Sequence, residues 1–93
     1  MKVYIAGKIT GLKNYKEIFN KAENKLLSEG NQVMNPAVLN EGFNYEVYMP
    51  ICLTMLEVCD AIYMLSNWKD SKGAKVEHEY AKIQGKKIIY QED

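Results

Sequence analysis

Residues 61–90, "AIYMLSNWKDSKGAKVEHEYAKIQGKKIIY", decide the fold. Ala61 to Leu65 is an apolar run of strand length. "SNWKDSKG" follows with turn formers, and Ser71 stands where a helix N-cap would stand. From there to Gly85 the pattern is helical. Val76, Tyr80 and Ile83 form the expected core stripe, and Glu77 falls at its edge beside Gly73, Ala74 and Ala81. "KIIYQ" then returns to a β-rich run. A strand, a helix and a strand in this order predict a right-handed crossover between parallel strands.

The alternation extends toward the N-terminus. "KVYIA" is a β-rich run ending at Gly7. "NYKEIFNKAENKLLSEG" opens with Asn14 and has Glu17 three residues on, a capping-box pattern. Tyr15, Ile18, Phe19, Ala22 and Leu26 recur at helical spacing, and Gly30 is the stop. "QVMN" is a short second strand cut by Pro36, and "AVLNEGFN" reads as loop. "YEVYMPICLTMLEVC" reads as a helix, with Pro50 expected in its first turn, where a missing N–H does no harm. The prediction is an α/β fold of three layers, flavodoxin- or Rossmann-like. It has four parallel strands in order 2-1-3-4, helices on both faces, and one domain over residues 1–93.

Composition narrows the function. The chain has 93 residues with 12 basic and 12 acidic side chains, so no whole-molecule field steers it to nucleic acid. Every basic residue is Lys, so an anion site must use Lys or backbone N–H groups. No apolar run is long enough to span a membrane. Cys52 and Cys59 are seven residues apart on a helix, about 10 Å along its axis, too far for a disulfide. Free thiols point to a reducing cytoplasm. No His/Cys/carboxylate group has metal-ligand spacing, and no cofactor is implied. A chain this short gains stability and a deeper site by pairing, so a homodimer is expected.

Ligands of such sheets bind at the carboxyl ends of the strands, beside the point where strand order reverses. Two loops fall there. "AGKITG" places Gly7 and Gly11 around Lys8, Ile9 and Thr10, either a cradle for an anion or a plain strand-to-helix turn. "SNWKDSKG" leads into the third helix, whose first N–H groups suit a phosphate or hydroxyl. Glu77 lies just inside that helix. There the dipole favours an ionised carboxylate, a competent nucleophile toward an electron-poor sugar carbon. The plainer reading is a first-turn acid on a wet face. Trp68 either stacks on a base or plugs its loop into the core or an interface. Asn35, at the end of the second strand, is a further candidate for the lining. His78, about 100° around the helix from Glu77, is a surface or packing residue.

Tyr4-Ile-Ala-Gly7, Cys59-Asp60-Ala-Ile and Ser71-x-Gly73-x-x-x-Glu77-x-x-x-Ala81 together resemble the nucleoside 2-deoxyribosyltransferase superfamily. Within it the chain looks most similar to a small bacterial and phage group of unassigned function, related to the 2'-deoxynucleoside 5'-phosphate N-hydrolases. The resemblance implies that Glu77 attacks the anomeric carbon of a deoxyribose and displaces the base, with Tyr4 orienting it. It implies that Gly7, Lys8, Ile9, Thr10, Gly11, Ser71 and Gly73 hold the sugar or its phosphate. Relatives carry an acidic proton donor eight residues before the position of Asp60, where this chain has Cys52. They have Gly two residues after the nucleophile, where this chain has Glu79. They also complete the site with partner residues beyond the last strand, where this chain offers only Tyr90 to Asp93. Three readings therefore stay open. The first is cleavage or exchange of the glycosidic bond in a 2'-deoxynucleoside or its 5'-monophosphate. The second is a non-catalytic nucleotide-binding or sensing module. The third is a structural interaction protein on the same scaffold.

Overall fold

The computed structural model of the protein describes residues 1–92, so Asp93 lies outside the described residues. Chain order is β1 (Lys2–Ala6), α1 (Tyr15–Ser28), β2 (Gln32–Met34), a 3-10 turn (Pro36–Val38), α2 (Tyr45–Glu57), β3 (Ala61–Met64), a second 3-10 turn (Trp68–Asp70), α3 (Lys72–Ile83) and β4 (Lys87–Tyr90). The sheet order is β2-β1-β3-β4 and every pairing is parallel. This is the predicted α/β order, with the reversal between β1 and β3.

Strand periodicity divides the interior into two cores. Val3 and Ile5 of β1, with Ala61, Tyr63 and Leu65, meet Tyr15, Phe19, Ala22 and Leu26 of α1. Tyr4 and Ala6, with Ile62 and Met64, face α2 and α3, where Cys52, Leu56, Ala74 and Ala81 close the layer. Phe19 and Leu26 are fully or nearly fully buried, and side chains of that size contribute about 2–3 kcal/mol each.

Three local expectations are corrected. Asn14 precedes α1, but its side chain makes no capping bond. Its φ of −99° and ψ of 24° continue the turn through Leu12, whereas a capping side chain needs extended backbone to reach back. Pro50 is inside α2, not in its first turn. It lies on the exposed side, where water can reach the carbonyl that loses an N–H partner, and its own carbonyl accepts from the Thr54 hydroxyl at 2.8 Å. The core stripe of α3 is Ala74, Glu77 and Ala81, while Val76 and Ile83 are 41% and 74% exposed. The helix is rotated from its predicted setting because α3 packs closely on α2. A Cβ at Gly73 would already stand 3.3 Å from the Met49 sulfur.

Candidate active site

The site is built where the two loops meet. Gly7 has no room for a side chain, since a Cβ would come within 2.5 Å of Leu65. This close approach brings the turn after β1 down onto the end of β3. The Lys8 N–H donates to the Asn67 side-chain oxygen at 2.9 Å and clasps that turn to the loop before α3. Gly11 turns the chain toward α1 with φ +77°, a conformation that disfavours other residues. On the other side Ser71 caps α3, its hydroxyl oxygen accepting from the Ala74 N–H at 3.1 Å.

Glu77 is only 5% exposed. The fully buried Tyr4 donates its hydroxyl proton to Glu77 Oε2 at 2.6 Å. Burial raises the Glu77 carboxyl from 4.5 to about 7, against the opposing effect of the Tyr4 hydrogen bond. Desolvation thus works against the ionised form that the helix position favours. Tyr4 is held well above 10, first by burial and then by the charge of Glu77, so it remains a donor. Cys52 on α2 joins them. Burial and then Glu77 push its thiol up to about 11, while Tyr4 acts in the opposite direction. The thiol is therefore neutral near pH 7.

Above this trio lies a cleft of about 600 Å³. Of the candidates named from the sequence, Tyr4, Gly7, Ile9, Thr10, Gly11, Ser71, Gly73 and Glu77 line it. Lys8, Asn35 and Trp68 do not. Lys8 contributes the backbone clasp. Asn35 caps the first 3-10 turn by accepting from the Ala37 N–H, and it donates to Glu23 at 2.8 Å beneath α1. Trp68 stacks on His78 with ring centroids 4.3 Å apart, and His78 Nε2 bonds the Tyr90 hydroxyl at 2.8 Å. Its indole is therefore occupied by packing. Asp60 accepts from the Lys2 N–H at the opposite end of the sheet, as a turn residue there should.

The sequence reading missed one wall. Glu41, Phe43, Tyr45, Tyr48 and Met49 border the cleft, and Tyr15 reaches it from the start of α1. The signal was present in "EGFNYEVYM", which concentrates aromatic residues just before and within the first turn of a helix. Among the described residues, no three His, Cys, Asp or Glu side chains come together to hold a metal ion.

Residues 1–90 match the family described as "Domain of unknown function (DUF4406)". No curated protein matches the chain. Among solved structures, a 2-deoxyribosyltransferase from Leishmania mexicana superposes with a TM-score of 0.74 at 20% identity, covering 96% of this chain and 62% of its own length. A 2-deoxyribosyltransferase from the psychrotolerant bacterium Bacillus psychrosaccharolyticus superposes with a TM-score of 0.74 at 22% identity, covering 97% of this chain and 71% of its own. The chain thus spans less than two thirds of the first of these proteins, and the likeness to both is one of fold.

Proposed function

This chain belongs to the DUF4406 family, and from that premise we propose that it cleaves or exchanges the N-glycosidic bond of a 2'-deoxynucleoside or its 5'-monophosphate. One observation carries the reading. A buried carboxylate, Glu77, borders an open cleft and is held at 2.6 Å by a tyrosine that cannot readily lose its proton. Tyr4 occupies Oε2 and leaves Oε1 for the sugar. In the first step the carboxylate bonds to C1', the C1'–N bond breaks, and the base departs with the electron pair. Water or a second base then takes the sugar and frees Glu77. Thr10, Gly11, Ser71 and Gly73 bind the sugar or its phosphate, since the first N–H groups of α3 open onto the same space. Only the ionised form of Glu77 attacks, so the rate rises with pH through about 7.

The same reading makes the protein a cytoplasmic homodimer. α2 carries no charge from Val47 to Leu56, yet Val47 and Ile51 are 43% and 44% exposed. A helix apolar on all sides calls for cover on its outer face. Cys52 and Cys59 are both unpaired, which suits a reducing compartment.

The test is chromatography of deoxynucleosides and their monophosphates incubated with the protein, with and without a second free base. Release or exchange that disappears in Glu77→Gln supports the proposal. The neutral thiol at position 52 favours a second reading, binding without turnover. Heat of binding by calorimetry with no product would establish it.

A further inference from the structure

A second carboxylate borders the cleft and has no part in the scheme above. Glu41 lies on the segment joining the first 3-10 turn to α2. Its Oε1 accepts from the Tyr15 hydroxyl at 2.7 Å, and Tyr15 belongs to the core on the α1 side of the sheet. Glu77 and Cys52 reach the cleft from the opposite layer. The segment is tied down beside Glu41, because the Tyr48 hydroxyl donates to the Asn40 carbonyl and accepts from the Phe43 N–H. Glu41 is therefore a positioned group, and Oε2 has no partner among the described residues.

The chemistry lacks such a group. A purine or pyrimidine leaves slowly unless its nitrogen gains a proton, and water attacks slowly unless it loses one. The Cys52 thiol, at about 11, is too weak an acid for this near neutral pH, and Tyr4 is weaker still. Among the described residues bordering the cleft, the carboxyl groups are Glu77 and Glu41.

We propose that Glu41 is the general acid–base of this site, positioned by Tyr15, and this rests on Glu77 being the nucleophile. In the first step the Glu41 carboxyl gives its proton to the base nitrogen as the C1'–N bond breaks and Glu77 bonds to C1'. In the second step the Glu41 carboxylate takes a proton from water as the water oxygen bonds to C1' and the Glu77 ester bond breaks. One proton leaves Glu41 and one returns in each turnover. Tyr15, whose bond to Glu41 pushes it up to about 12, keeps donating to Oε1 throughout and leaves Oε2 to carry the exchanging proton.

The test compares two leaving groups in the unaltered protein and in Glu41→Gln. One substrate is a 2'-deoxynucleoside with an ordinary base. The other is a 2-deoxyribosyl pyridinium, whose leaving group departs as neutral pyridine and needs no proton. In Glu41→Gln, base release from the first falls by about 10²–10⁴-fold. From the second, pyridine appears in a rapid burst of one equivalent. The protein then carries the sugar as a mass increase, and added azide restores turnover because it attacks without losing a proton. Equal losses on both substrates with no burst, or no loss on either, overturn the role of Glu41 and leave that of Glu77 standing. Failure of the unaltered protein to act on either substrate overturns both. Glu41→Asp keeps a carboxyl group and recovers part of the rate on the nucleoside, which a purely structural role would not produce.

Discussion

The two layers that flank the sheet are built from the same strands and differ in kind. Toward α1, β1 sends Val3 and Ile5 into a core whose helical side is Tyr15, Phe19, Ala22 and Leu26, and no carboxyl or thiol group is buried in it. Toward α2 and α3 it sends Tyr4 and Ala6, and this layer contains a thiol, a phenol and a carboxyl group among its buried side chains. One layer holds the fold together. The other accepts a desolvated acid, which burial makes unfavourable at neutral pH, at the border of the cleft.

The contrast can be broken by substitutions on each side. Phe19→Ala empties a fully buried site in the first layer and lowers stability by about 3–5 kcal/mol. Denaturant unfolding measures this loss. A change in the pH dependence of activity would show that the layers are not independent.

Glu77→Gln acts in the opposite sense. The folded chain holds the Glu77 proton up to about pH 7, whereas an ordinary carboxyl releases it near 4.5. Its favourable contribution is full below about pH 4.5 and is lost as pH rises through about 7. The variant should match the native chain at pH 4 and exceed it by about 3 kcal/mol at pH 8. Unfolding curves at the two values check this, and equal effects at both would contradict the burial argument.

Tyr4→Phe sharpens the picture further. It removes the hydrogen bond that holds the Glu77 carboxyl down, so the rising limb of the pH–rate profile moves to higher pH. Stability at pH 8 falls by about 1–2 kcal/mol. The smallest effect on the fold belongs to Ile51→Lys on the outer face of α2. Unfolding of the single chain should change by less than about 0.5 kcal/mol, while sedimentation should show the proposed dimer becoming a monomer.

Much of this architecture was legible in advance. Strand-length apolar runs between helical stretches specify a parallel order, because crossover handedness and connection length leave few alternatives. Ser71 and Glu77 were also legible, since a cap and an acid six residues on belong to one helix. The wall made by Phe43, Tyr45 and Tyr48 was not, because aromatic residues in a loop and a first helical turn carry no periodic signature. The setting of α3 was misread for a related reason. Val76 and Ile83 are the larger apolar residues, but the buried face of α3 is Ala74, Glu77 and Ala81, and at Gly73 a Cβ would already stand 3.3 Å from Met49 of α2.

By itself the sequence determined the elements, their order and the small set of groups able to react, because each depends on neighbours within a turn or a strand. Only the tertiary structure decided which groups meet. Tyr4 and Glu77 are separated by 73 positions along the chain and by 2.6 Å in space. Desolvation and hydrogen bonding act over that shorter distance, so the proton affinity of Glu77 is a property of the packed layer and of no local segment.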